Sequence, residues 1–302
     1  MTTVVVWRTK QSFSGVPDDA IFLIADSRAS STAGEGGVLT DRCAKVFEVP
    51  VLVRAKDFRS TATLVMAVAG HTLVAHNAVF CLQQALVALV GSRMPTVSEI
   101  VQFAAKILAD LTIDVGTLHQ EKALSELVIA GTTESGTSPE AWSLRPNIVS
   151  SAISFKAELL DLSDEPYCTG TPDDVKEFRS AYASKIAVAR TSHEEQYLVD
   201  QLPIVCFDRA FLVERSARKT GGELQMVATN GSDALRFMPF RYEVSQAELS
   251  GDPARQAGDW MGMYRFMFFG SDVFGVKIGD CSIGLEPWQL ADVPISLDAS
   301  SA

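Results

Sequence analysis

The chain opens Met1-Thr2-Thr3-Val4-Val5-Val6-Trp7-Arg8, with a threonine directly behind the initiator. Removal of Met1 leaves Thr2 with both a hydroxyl and a free α-amine. An α-amine has an ordinary pKa of about 7.7–8.0, so it accepts a proton near neutrality and can act as base for the hydroxyl beside it. Thr2 is small enough for normal Met removal, and trimming is expected. The same letters also suit an ordinary edge strand, so the rest of the chain must discriminate. Three stretches bear on this. An apolar run, AIFLIAD, ends on Asp26 ahead of Ser27-Arg28; Lys45 lies in CAKVFEV; Gly70 follows ATLVMAVA and precedes His71. Each has a plain structural alternative: Asp26 capping a turn or pairing with Arg28, Lys45 facing solvent, Gly70 only opening a helix.

The elements that would position these residues follow from periodicity. Residues 3–8 and 20–26 read as strands, the second apolar throughout and buried on both faces. Residues 9–19 carry turn residues and 27–40 form a polar, Gly-rich loop. Strands are expected at 43–49 and 62–69. After Gly70 the pattern changes to a largely buried helix over 73–90, broken at Ser92–Pro95. Thr96 with Glu99 reads as a capping box opening a helix to about Leu111. Strand signals return at 127–130, 142–144, 153–160 and around Tyr167. Helices follow from Pro172-Asp173-Asp174 and over 193–213, then strands at 223–229 and 235–242. Strand runs alternating with helix pairs favour stacked sheets covered by helices over a doubly wound parallel sheet.

Composition narrows the function classes. The 302 residues carry 26 Lys+Arg against 37 Asp+Glu, a net charge of −11, without a basic cluster. That argues against nucleic acid and against anionic membrane as partners. No apolar run reaches the ~20 residues of a membrane span, and no secretory signal is read. Five dispersed cysteines without a CxxC pair suggest reduced thiols and a cytoplasmic location. His71 and His76 have no Cys or carboxylate pattern around them, so they read as structural. No metal and no cofactor is expected.

Taken in order, Thr2-Thr3-Val4-Val5, Ile24-Ala25-Asp26-Ser27-Arg28-Ala29, Lys45-Val46-Phe47 and Ala67-Val68-Ala69-Gly70 resemble the proteasome β-subunit superfamily of N-terminal-nucleophile (Ntn) hydrolases. The resemblance is closest in style to HslV-type peptidases and bacterial proteasome-like proteins, and strongest over residues 2–130. It implies an α+β fold, a four-layer α-β-β-α sandwich. Residues 2–242 would form this domain, and 243–302 a C-terminal extension packing on it or at an oligomer interface, with a dense aromatic and Met stretch at 259–276.

The resemblance also implies roles. Thr2 would be the nucleophile, Lys45 the cation that eases alkoxide formation, Asp26 its partner, and the Gly70 N–H an oxyanion donor. Thr169, in Tyr167-Cys168-Thr169-Gly170, would support the amine. Ala29, Cys43, Val68 and Thr72 would line a pocket for an apolar residue before the scissile bond. The implied activity is threonine-type peptide hydrolysis through an acyl-enzyme within a self-compartmentalised homo-oligomer, a ring or spiral acting on peptide or unfolded protein. An ATP-driven unfoldase is compatible with such assemblies, but no residue of this sequence points to one. Two departures stand out. Ala217 occupies the position of an expected late acid, ahead of Thr220-Gly221-Gly222, with Asp208 a substitute only through a longer loop. The extension has no counterpart. Two alternatives remain open: an inactive scaffold subunit, and an Ntn amidohydrolase acting on a small-molecule amide.

Overall fold

The computed structural model describes residues 2–9, 19–30, 38–40, 43–55, 58–91, 93–119, 123–134, 137–149, 152–192, 196–211, 221, 224–230, 234–241, 264–267, 277–278 and 281–282. The strands are β1 (Thr3–Arg8), β2 (Ile21–Asp26), β3 (Ala29–Ser30), β4 (Val38–Thr40), β5 (Val46–Ala55), β6 (Phe58–Gly70), β7 (Leu89–Val90), β8 (Ser125–Gly131), β9 (Glu140–Val149), β10 (Ala152–Leu159), β11 (Tyr167–Gly170), β12 (Leu224–Thr229), β13 (Ala234–Arg241), β14 (Tyr264–Met267), β15 (Lys277–Ile278) and β16 (Cys281–Ser282). The helices are α1 (Thr72–Val87), α2 (Val97–His119), α3 (Pro172–Ser192) and α4 (Gln196–Phe211).

The fold is mixed α and β, with two six-stranded sheets ordered β11-β1-β2-β12-β13-β14 and β10-β9-β8-β6-β5-β7. Pairing is antiparallel except between β5 and β7. Side chains alternate across a strand, and β1 and β2 divide accordingly. Val5, Trp7, Phe22 and Ile24 pack with Phe178 of α3 and Phe207 of α4. Val4, Val6, Ile21, Leu23 and Ala25 pack instead with Val65, Ala67, Val128 and Ala130 of the second sheet. A third cluster joins β6, β8 and β9 to Val74, Ala78 and Leu82 of α1 and to Ile100, Val101 and Leu108 of α2. Each fully buried side chain such as Phe22 or Leu64 contributes on the order of 1.5–3 kcal/mol. The first two clusters therefore hold β1 and β2 rigidly against their neighbours.

Boundaries differ from expectation in instructive places. Lys45 lies one residue before β5, which runs on to Ala55. The hairpin with β6 continues through Arg54 opposite Arg59, because main-chain pairing carries it past the apolar stretch. Helix α2 extends to His119 rather than Leu111, and α4 contains Pro203 in its interior. The capping box is present: Thr96 Oγ1 accepts from the Glu99 N–H at 3.2 Å, and Glu99 accepts from the Thr96 N–H at 2.8 Å. Arg93 adds an ion pair that, with these bonds, holds the Glu99 carboxyl at about 2. A carboxyl depressed in the folded state helps fully above its ordinary value of 4.5, and that help fades as pH falls toward 2. Residues 10–18 of the expected turn at 9–19, residues 31–37 of the expected loop at 27–40, and residues 242–263, 268–276, 279–280 and 283–302 lie outside the described residues; β3 and β4 stand in that loop's described part. No described helix is long and apolar enough to cross a membrane. Replacing Thr96 by Ala should cost about 1 kcal/mol, read as a melting temperature on the order of 2 °C lower; an unchanged melting curve would mean the box does not hold α2.

Candidate active site

Asp26 is fully buried at the end of β2, where the first sheet meets the segment entering the second. Its Oδ1 accepts the Thr3 N–H at 3.0 Å. Its Oδ2 accepts the Arg28 N–H at 3.1 Å, the Gly221 N–H at 3.2 Å and the Lys45 ammonium at 3.0 Å. Lys45 is itself 2% exposed and also donates to the Arg28 carbonyl. One carboxylate thus binds the residue after Thr2, the turn beyond β2, the approach to β12 and the approach to β5. Lys45 does not face solvent, and Asp26 caps the turn at Arg28 while also binding three further groups.

Burial acts on both charges. It pushes the Asp26 carboxyl above its usual range, opposed chiefly by the Lys45 charge. It pulls the Lys45 ammonium below its usual range, opposed chiefly by Asp26. A lysine held this way gives up or shares a proton more readily than one in water.

Thr2 is 5% exposed. The Thr3 hydroxyl donates to Asp174 in the first turn of α3, whereas Val4 and Val6 face the second sheet. Alternation therefore turns the Thr2 side chain toward the second sheet, the side from which Lys45 comes. Strand β11 fixes this end of β1 through the register Thr3 to Gly170 and Val4 to Thr169. Gly170 has φ +124°, and a Cβ there would stand 2.0 Å from the Thr2 carbonyl oxygen. Only glycine lets β11 close on Thr2.

Gly70 ends β6 opposite Ser125, with φ +99° and room for no Cβ, which would lie 2.5 Å from the Leu124 carbonyl oxygen. The His71 N–H donates to that same carbonyl at 3.0 Å, and α1 begins at Thr72. Thr169 is buried, and its hydroxyl donates to the Glu126 carboxylate on β8. Of the expected pocket residues, Cys43 and Val68 are buried, Ala29 is half-buried and Thr72 is exposed. The Val68 N–H donates to the Lys45 carbonyl at 2.9 Å, and the Cys43 N–H to the Ser27 carbonyl at 2.8 Å. These bonds bring Cys43 and Val68 to Lys45, and Ala29 adjoins Arg28. Burial pushes the Cys43 thiol up. His76 has a structural part: its Nε2 lies 2.7 Å from the Ala44 carbonyl oxygen and 3.8 Å from Cys43 Sγ. Residues 212–220, with Ala217, and the Asp208 side chain lie outside what the structure describes.

Several contributors escaped sequence reasoning. Gln225 on β12 accepts the Lys45 N–H at 2.8 Å and donates to the Cys43 carbonyl at 2.7 Å, clamping the segment that carries the lysine. Gly170, Gly221 and Glu126 were also missed. The available signal was an amide or carboxylate inside an otherwise apolar strand, in LQMVAT and SELVIAG. A cavity of about 290 Å³ lined by Trp7, Leu162, Tyr182, Arg190 and Asp200 lies at the far end of β1, away from this cluster. Among the described residues, no group of three His, Cys, Asp or Glu could hold a metal ion.

Comparison with known proteins adds the fold class. No protein-family model matches the chain, and no curated protein does. A structure of an Anbu (ancestral beta-subunit) Gly-1 mutant from Hyphomicrobium sp. strain MC1 aligns at 14% identity and TM-score 0.51, covering 85% of this chain and 97% of that one. Anbu from Pseudomonas aeruginosa, described as a helical assembly, aligns at 13% identity and TM-score 0.49, covering 84% and 90%. The first likeness shows a fold shared with that Anbu structure. It corrects the resemblance to HslV-type peptidases and proteasome β-subunits, because the matched structures are Anbu proteins, which are proteasome-like but distinct.

Because Asp26 and Lys45 are buried together, Asp26→Asn should leave an unpaired buried ammonium and destabilise the fold by about 3–5 kcal/mol. Adding Lys45→Met should recover most of that loss in denaturant unfolding. Strictly additive losses would mean that the two side chains do not act as a pair.

Proposed function

We propose that the chain is a threonine-type Ntn peptidase that hydrolyses peptide bonds through an acyl-enzyme on Thr2. The observation that carries this reading is one buried carboxylate, Asp26, bonded at once to the backbone beside Thr2 and to the Lys45 ammonium. With Met1 removed, Thr2 Oγ attacks the scissile carbonyl while its proton passes to the α-amine. Lys45 stabilises the developing alkoxide, and Asp26 holds Lys45 in place. The Gly70 N–H, at the entrance to α1, donates to the tetrahedral oxyanion, and the helix N-terminus adds favourable potential. Collapse of the intermediate releases the amine product, protonated from the α-ammonium, and leaves an ester on Thr2. Water then attacks that ester with the amine again as base.

Ala29, Cys43, Val68 and Thr72 form the wall next to the nucleophile, favouring an apolar residue before the cleaved bond. In this reading, helices α3 and α4, the two sheets, and helices α1 and α2 are the layers of a four-layer α-β-β-α sandwich spanning residues 2–242. Residues 243–302 are an extension serving packing or assembly. The protein is a cytoplasmic homo-oligomer. The exposed Leu73 and Phe80 of α1 and Phe103 and Ile113 of α2 support a contact face between copies. One specific feature favours a second reading, an inactive scaffold subunit: Ala217 where an acid is expected.

Intact mass of the purified protein, before and after a threonine-reactive peptide epoxide, separates the two. The expected result is loss of Met1 and one adduct per chain, absent in Thr2→Ala. A retained Met1, or a trimmed chain that never labels, would favour the scaffold. Turnover of peptides against small amides then decides the substrate class.

A further inference from the structure

Glu126 is a half-buried carboxylate on β8 that the mechanism above does not use. We propose that Glu126 is a positioning residue which, through the Thr169 hydroxyl, orients the α-amine of Thr2 and stabilises the ammonium formed there. The inference rests on the nucleophile reading and deepens it.

Three observations carry it. First, Thr169 Oγ1 donates to Glu126 Oε2, so the Thr169 oxygen faces its other neighbours only as an acceptor. Second, Thr169 stands opposite Val4 in the β11–β1 register, which makes it the diagonal neighbour of Thr2 on one face of the sheet. Diagonal positions lie about 7–8 Å apart at Cα, within reach of side chains. Gly170 removes any play in that register by closing on the Thr2 carbonyl. Third, Glu126 stands opposite Ala69 on β6, next to the Gly70–Ser125 pair, so the carboxylate enters from the sheet that also carries the oxyanion donor.

When the Thr2 hydroxyl gives its proton to the amine, a positive charge appears at the amine. A carboxylate linked to it by one hydroxyl lowers the cost of that charge. Ala217 supplies no carboxylate from the late loop, and Glu126 supplies one from β8. The groups that face Glu126 are Thr169 and Tyr167 on β11 and Arg145 on β9, with Cys168 in electrostatic reach. Arg145 also bonds the Tyr167 hydroxyl at 2.7 Å. Burial raises the Glu126 carboxyl and Arg145 opposes the rise.

The test uses the trimmed full chain and two readouts. One is the titration of the Thr2 α-amine, followed as the pH dependence of its acylation by a small anhydride and quantified on the N-terminal peptide by mass. The other is the pH profile of kcat/KM on a fluorogenic peptide. Removing the negative charge with Glu126→Gln should lower the amine's pKa and move the acid limb to lower pH by about one unit, with kcat reduced at least about tenfold. Thr169→Val, which keeps volume and breaks the link, should do the same, and Thr169→Ser should restore the wild-type profile. An amine titration that superimposes on wild type in folded Glu126→Gln and Thr169→Val would overturn the inference. The amine titration needs no turnover. A wild type without peptidase activity but with a Glu126-dependent amine would keep the link and sink the peptidase reading. An active enzyme whose amine ignores Glu126 would do the reverse.

Discussion

One buried carboxylate ties this end of the molecule together. Asp26 receives three backbone N–H groups and an ammonium, from segments as far apart in sequence as Thr3 and Gly221. Removing two charges from water costs several kcal/mol per ion, and the attraction between them offsets that only where geometry is good and remaining lone pairs are bonded. Both conditions hold here. The pair is therefore less a source of stability than a device of placement, fixing Lys45 beside the first strand at a point no loop could hold. The Gln225 amide reinforces this by satisfying the backbone on either side of Lys45.

The packing around it serves the same end. Strand β1 is buried on both faces, between Phe178 and Phe207 on one side and the inner face of the second sheet on the other. Its N-terminal residue is thus carried into an interior, where charges act through a low dielectric and small displacements are resisted. Gly170 and Gly70 do at the backbone what the aliphatic residues do at the side chains, permitting approach where any Cβ would collide. Two polar centres, Asp26 with Lys45 and Glu126 with Thr169, lie at the same end of the sheets as Thr2.

Much of the scaffold was legible in the sequence because it follows from local rules. The β-prone run TVVVWR, the continuous apolar AIFLIAD and the Thr96–Glu99 box each state their own conformation. Residues that act at a distance were harder to read. Gln225 and Glu126 are single polar letters in apolar strands, and their partners lie on other elements, Glu126 facing Thr169 43 residues away and Gln225 facing Lys45 180 away. No local pattern announces such pairs. Helix α2 ran past its expected end because Leu111 and Val115 continue its apolar face toward the second sheet. Pro203 was compatible with α4 because packing of Ile204, Cys206 and Phe207 outweighs the lost main-chain bond. The narrower kinship rested on four short motifs, whereas the structural likeness runs over 85% of the chain and is to an Anbu structure.

The account stands or falls on whether the buried lysine serves Thr2 or only holds the fold. The direct measurement is the second-order rate at which a peptide epoxide labels Thr2 in the doubly substituted Asp26→Asn/Lys45→Met protein, in which no unpaired buried charge remains. The account predicts a folded, Met1-trimmed chain whose labelling is slower by roughly 100-fold or more, the scale of losing one preorganised electrostatic contact. Labelling at the wild-type rate in that protein would contradict it, and would leave Asp26 and Lys45 as structural groups alone.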